Sequence, residues 1–358
     1  MRIVRYETQD GKKPKYGWLL GDKVGEIGGN IYGRYRRQEA LTPLSDVRLI
    51  QPCEPGKIIC VGRNYVEHAK ELGNEVPKVP LIFMKPPSSV IPNGETILLP
   101  PQSNQIEHEA ELVAVIGKRG RHIAAEDAKK HILGYTIGND VTARDLQKSD
   151  NQWTRAKGFD TFCPFGPWID TDFDPSDSVI TCRVNGQMRQ MASTRDMVFN
   201  VGTLVAYISS VMTLEPGDLI FTGTPSGVNE LKNGDVVEIE IEGLGSLKTR
   251  YEPKRRGGVT PPLRRNHTFI LHHILRRVIG KPPGVVGDII QQGIIRSEII
   301  IEHHAERIDR RDGGIQILFR RIVHIIRIQN RHAKLRVILA RHAGGPMIAH
   351  EDDHRGNL

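Results

Sequence analysis

No CxxC pair occurs anywhere in this chain. Its four cysteines, Cys53, Cys60, Cys163 and Cys182, are spread singly, which argues against a disulfide framework and a thiolate zinc site and for a reducing compartment. The opening residues, MRIVRYETQDGKK, lack an apolar h-region, so no secretory signal is expected. No run reaches the roughly 18 apolar residues that a membrane-spanning helix needs. Together these absences predict a cytoplasmic protein with no membrane partner. The stretch TGTPSGV (222–228) follows a strand-like run but lacks the GK[ST] ending of a phosphate-binding loop, which speaks against nucleotide binding. Its backbone N–H groups remain suited to a carboxylate.

Excess charge is also missing from most of the chain. The formal net charge of the 358 residues is +8, a balance that ordinarily suggests nucleic acid or an anionic surface as partner. Residues 261–358, however, hold 15 Arg and 2 Lys against 9 acidic residues, which leaves 33 basic and 33 acidic residues in 1–260. The body is neutral and the whole excess lies in the tail. That tail carries 19 Ile and 10 of the 14 His, but no Tyr and no Trp, and it shows no sustained helical or strand period. It reads as an irregular, disordered or non-native extension, the product of read-through or a frame shift. The competing reading is an Arg/His-rich arm for nucleic acid or membrane. The missing aromatic residues and the lack of an amphipathic face count against that arm, so no nucleic-acid partner is expected.

What the chain does contain is many short β-like runs and few helical ones. Its length suggests about two domains. Residues 1–55 read as a small β-rich N-terminal module with strands in MRIVRYE and YGWLL…KVGEIGG, closed by Pro52, Pro55 and Gly56. Residues 56–252 form the main body. KIICVG, LIFMKP, ELVAVIG, GYTIGND, VITCRVNG, DLIFTGTP, DVVEIEIEG and SLKTRYE predict strands there. YVEHAKEL, AAEDAKKHI and MVFNVGTLVAYISSVM predict helices. Strict βαβ alternation is absent, so the expected fold class is mainly β with some α, mixed and largely antiparallel. Residues 253–358 are a linker (253–260) and the tail.

The segment IEHEAELVAVIG is the most informative stretch. Read as a strand, it places Glu109 and Glu111 on one face, continued by Val113 and Val115. Two carboxylates so close repel each other; one takes up a proton or a cation sits between them. The apolar residues that follow imply burial, which makes an uncompensated pair costlier. Asp140, ending GYTIGND, offers a third carboxylate at a strand end. Three oxygen ligands without Cys or His suit Mg²⁺ or Mn²⁺ over Zn²⁺. An acid pair of this spacing equally fits a solvated strand face.

In RNYVEHAKELG, Asn64 and Glu67 fit a capping box and Gly73 a C′ position, so Glu67 reads as structural. His68 and Glu71 lie three apart on one helix face, an arrangement suited to a general base that activates water; an incidental surface pair fits as well. Thr142 and Asp145 in TARD read as a second capping box. Arg144 and Gln147 stand close enough to Asp140 to contact an anionic substrate. Lys157, in TRAKGFD, is a candidate to stabilise a developing enolate, although a lone lysine is ordinarily solvated.

These pieces together resemble the fumarylacetoacetate hydrolase family. The resemblance runs through VGRNYVEHAKE, IFMKP, HEAELVAVIGK, GNDVTARDLQ, WTRAKGFDTFCPFGPW, RVNGQMRQ and LIFTGTPSGV, over roughly residues 56–252. It implies a β-roll fold, a homodimer, and Mg²⁺ or Mn²⁺ held by Glu109, Glu111 and Asp140. It also implies an acid–base dyad of His68 and Glu71 on a lid helix, an active-site Lys157, and substrate contacts from Arg144, Gln147 and Thr224. The implied chemistry is hydrolytic C–C cleavage of an acylpyruvate-type acid, in aromatic catabolism. Isomerisation of 2-hydroxyhepta-2,4-diene-1,7-dioate and decarboxylation of an oxaloacetate-like acid use the same site. The resemblance offers no counterpart for residues 261–358.

Overall fold

The computed structural model describes residues 1–8 and 13–253. The reading of the remaining C-terminal residues as linker and tail, and the basic-arm alternative, lie outside the described residues. The principal strands are β1 (Arg2–Thr8), β2 (Lys15–Leu20), β3 (Lys23–Gly29), β4 (Tyr35–Pro43), β5 (Ile58–Gly62), β6 (Leu81–Lys85), β7 (Thr96–Leu99), β8 (Ala110–Ile116), β9 (Ile132–Asn139) and β10 (Cys163–Asp170). They continue with β11 (Val179–Val184), β12 (Gln187–Ser193), β13 (Leu219–Phe221), β14 (Val236–Ile241) and β15 (Gly245–Pro253). Among the described residues, four α-helices accompany them: α1 (Val66–Glu71), α2 (Arg144–Ser149), α3 (Thr154–Lys157) and α4 (Val201–Val211).

The strands make two main sheets. The larger has the order β4-β3-β2-β1-β10-β9-β8-β13-β5-β6, with two short strands attached at its side; the smaller has the order β12-β11-β14-β15-β7. Pairing is antiparallel except at β13–β5, β15–β7 and the short pairing of Val90–Ile91 with β10. The mixed, mainly β architecture is as the sequence predicts. β1 pairs with β10, Ile3 opposite Ile169, so the N-terminal strands extend the sheet that carries the central strands.

β8 lies at the heart of the molecule and all seven of its residues are buried. Ala110, Leu112, Ala114 and Ile116 point into a core shared with Ile180, Cys182, Val237 and Ile239 of the smaller sheet and with Leu204, Val205 and Ile208 of α4. Val113 and Val115 face the other way, onto Ile58, Cys60, Phe165 and Phe221. A strand covered on both faces must be apolar on both, which explains the unbroken run LVAVI. Glu111 shares the face of Val113 and Val115, as the two-residue period requires.

Local predictions fare less evenly. Residues 125–131 form a 3₁₀ turn rather than an α-helix. Both capping boxes are overturned. α1 starts after Tyr65 and α2 after Ala143, neither with a side-chain cap. Asn64 is drawn away to the backbone of Phe199 and Thr222. Glu67 instead pairs with Lys70 on the surface. Asp145 is structural by another route: its carboxylate accepts from the Ser103 hydroxyl and from the Asn104 and Leu146 amides. Gly73 does occupy C′, with φ +67°.

Candidate metal centre

Glu109 stands one residue ahead of β8, not within it as the sequence suggests, and Asp140 one residue past β9. The β8–β9 ladder pairs Ala110 with Asn139. Beyond it, the Asp140 N–H donates to the Glu109 carbonyl at 2.9 Å, and the Glu109 N–H donates to Asn139 Oδ1 at 2.9 Å. The two backbones that carry acids are thereby pinned opposite each other. One carboxylate oxygen from each of Glu109, Glu111 and Asp140 lies within 4.8 Å of the others, and all three residues are buried.

Cations surround this centre. Lys157, the last residue of α3, donates at 2.6 Å to both Glu109 Oε2 and Asp140 Oδ2. Lys85, at the end of β6, donates to Asp140 Oδ1 at 2.6 Å and to the Val141 carbonyl at 3.1 Å. Arg144, opening α2, reaches Glu109 with Nη2, Glu107 with Nε and Gln147 with Nη1. Among the described residues Glu111 has no such partner; its contact is the Gly223 N–H, 2.7 Å from Oε2. Four buried carboxylates thus face three buried cations, and the surplus negative charge falls on Glu111.

The titration behaviour follows from that imbalance. Burial, then the adjacent Asp140 and Glu109 carboxylates, push the Glu111 carboxyl well above the usual range against the opposing pull of Lys157 and Gly223. Burial would raise Glu109 as well, but Lys157, Arg144 and His68 hold it far below. Burial works to deprotonate Lys157; Asp140 and Glu109 outweigh it and keep the ammonium charged. A divalent cation among the three oxygens would remove the surplus. The donor set of carboxylates alone, without sulfur or imidazole, fits a hard ion such as Mg²⁺ or Mn²⁺.

His68 is buried on α1, and its Nδ1 lies 3.2 Å from Glu71 Oε2. Burial works to raise the Glu71 carboxyl, but His68, the Gly227 amide and Arg144 hold it below its ordinary value. The loop 222–228 does bind carboxylates, and they are the protein's own: Gly223 N–H holds Glu111 and Gly227 N–H holds Glu71 at 3.0 Å. Both glycines have φ +98°. Thr224 in that loop accepts a hydrogen bond from Gln190.

One cavity, about 300 Å³ including its mouth, gathers His68, Glu109, Glu111, Asp140, Arg144, Gln147, Lys157 and Thr224. Glu71 joins through His68. Lys85, Glu107 and Gln190 escaped the sequence reading as site residues. Lys85 had a signal, a lysine ending the apolar run LIFMK before a proline. Glu107 and Gln190 had none, because their partners are distant in the chain. Arg63, Phe83 and Trp153 also line the cavity.

A β-rich fold with three convergent carboxylates and a His–Glu pair in one cavity defines an enzyme-type site. The chain belongs to the fumarylacetoacetate hydrolase family: residues 57–251 match the family described as "Fumarylacetoacetate (FAA) hydrolase C-terminal". Residues 1–52 match the family described as "Rv2993c-like, N-terminal". The chain is 46% identical over 223 residues to the human oxaloacetate tautomerase FAHD2A, mitochondrial, covering 59% of this chain and 71% of that protein. It resembles the crystal structure of 2-hydroxyhepta-2,4-diene-1,7-dioate isomerase from Mycobacterium marinum, with 44% identity and a TM-score of 0.66, covering 72% of this chain and all of that one. It also resembles maleylpyruvate hydrolase from Sphingobium sp. SYK-6 in complex with manganese(II) and pyruvate, with 31% identity and a TM-score of 0.58, covering 71% of this chain and all of that one. Among the described residues, no helix is long and apolar enough to cross a membrane.

Proposed function

We propose that the protein is a Mg²⁺- or Mn²⁺-dependent hydrolase that cleaves a C–C bond in a small β-diketo acid of the acylpyruvate type. The observation that carries this reading is the His68–Glu71 pair at 3.2 Å beside the cavity of Glu109, Glu111 and Asp140. Those three residues would hold the cation, which supplies Lewis-acid polarisation of the 2-oxo group when bound. Ionised Glu71 accepts the Nδ1 proton of His68, which orients the ring and leaves Nε2 for general-base work. His68 takes a proton from water as the water oxygen attacks the distal carbonyl carbon. The bond from that carbon to the methylene breaks, and its electron pair passes into the enolate of the 2-oxo acid. His68 then returns the proton to the methylene carbon, and pyruvate leaves with the second acid. Lys157 holds positive charge beside the enolate. Arg144, Gln147 and Thr224 contribute substrate contacts, Arg144 while bracing Glu109.

The test is Glu109→Ala. Loss of bound Mn²⁺, measured by elemental analysis, together with loss of acylpyruvate hydrolysis is expected. A variant that keeps metal-dependent turnover overturns the assignment.

A second reading keeps the site and changes the outcome to isomerisation, tautomerisation or decarboxylation. It is favoured by the activities named for the isomerase and tautomerase relatives. Product analysis separates the two: hydrolysis releases pyruvate and a second acid, whereas the second reading yields an isomer of the substrate or carbon dioxide. The four free, buried thiols support a reducing compartment, which we take to be the cytoplasm, and a homodimer and a substrate from aromatic catabolism complete the proposal.

A further inference from the structure

Arg63 follows β5 directly and lines the cavity with His68, Trp153 and Lys157. Its backbone is left-handed, with φ +59°, a conformation that residues bearing a Cβ rarely adopt. Such strain persists where the surroundings over-determine it, and it gathers at functional positions. Asn64 does the holding here. Its side-chain amide donates to the carbonyls of Phe199 at 2.9 Å and Thr222 at 2.7 Å, and accepts from the Phe199 N–H at 2.8 Å. Its own carbonyl accepts from the Val198 N–H at 2.8 Å.

Arg63 is half-buried, and among the described residues it has no hydrogen bond or ion pair. The other cavity cations are spoken for: Arg144 by Glu107 and Glu109, Lys157 by Glu109 and Asp140. A guanidinium that lacks an anion, in a cavity built for acids, is suited to bidentate capture of a carboxylate. With a divalent cation present, the buried groups of the centre carry one net positive charge, and Arg63 adds a second. Together they match a dianion. Phe83 and Trp153, edge to face at 5.2 Å, line the same cavity and suit the carbons between two charged ends.

We propose that Arg63 binds the distal carboxylate of the substrate, so that the cavity takes a 2-oxo dicarboxylate in preference to a 2-oxo monocarboxylate of equal length. This rests on the reading above, in which the 2-oxo acid end goes to the three-carboxylate centre.

Calorimetric titration of the full chain in Mg²⁺ with 2-oxoglutarate and 2-oxovalerate tests it. The wild type is expected to bind the diacid about ten- to hundredfold more tightly, the worth of a charged hydrogen-bonded pair. Arg63→Asn, which tolerates the left-handed backbone, and Arg63→Gly, unstrained there, are expected to lose that preference. Their affinity for 2-oxovalerate is expected to stay as in the wild type. Equal binding of the two acids by the wild type overturns the proposal, and so does a preference that survives both variants; either result leaves the metal-end reading standing. If neither acid binds in a Mg²⁺-dependent way, the metal-end reading falls and takes the proposal with it.

Discussion

Lys157 sets one buried ammonium against two acids, 2.6 Å from Glu109 and from Asp140. Because both acids hold it protonated, it serves as fixed positive charge and not as a base at neutral pH. Lys157→Met is expected to lower kcat by about 10²–10³, read from steady-state rates; an unchanged kcat would remove it from the chemistry. Burial governs the thiols as well. It pushes Cys53, Cys163 and Cys182 up to about 12 and Cys60 well above its ordinary value. Their folded pKa therefore exceeds the unfolded one, and as pH rises the unfolded chain releases these protons first. No stability is lost below about pH 9; above it, stability falls by up to about 1.4 kcal/mol per pH unit for each thiol until about pH 12. Urea midpoints across that window check the slope, and none of the four thiols should react with a disulfide reagent at about pH 8 before unfolding.

The loop after β13 couples two parts of the site, since Gly223 holds Glu111 and Gly227 holds Glu71. An added Cβ at Gly223 would lie 2.7 Å from the Asn64 Cβ, at φ +98°. Gly223→Ala is expected to cost more than about 1 kcal/mol and to weaken Mn²⁺ binding, as read from urea unfolding and metal titration. Wild-type values in both would show that the loop does not set Glu111. The strands themselves were legible beforehand. KIICVG, LVAVI and LIF are β-branched or apolar runs, and burial on both faces needs nothing more specific. Helix starts were not. Asn64 and Thr142 have the right side chains for caps, but a cap forms only if no tertiary partner claims the donor or acceptor first. At Asn64 the chain around Phe199 and Thr222, remote in sequence, made that claim.

The described residues fall into one compact unit, and the family match ends at residue 251. A chain ending at Pro253 is therefore expected to unfold in a single cooperative transition and to retain Mg²⁺-dependent turnover. Loss of either on removal of 254–358 would assign the tail a role in the enzyme. Light scattering at twice the monomer mass would bear out the homodimer. By itself the sequence determined the β-rich class, the neutrality of the body and the acid pair Glu109–Glu111. These follow from composition, from the two-residue period and from the repulsion of like charges, all of which are local. Only the tertiary structure decided that Asp140 meets that pair, that Lys85, Arg144 and Lys157 neutralise three of the four buried acids, and that Glu111 keeps the surplus charge. Those facts depend on which distant side chains share a low-dielectric space, and chain spacing does not encode that.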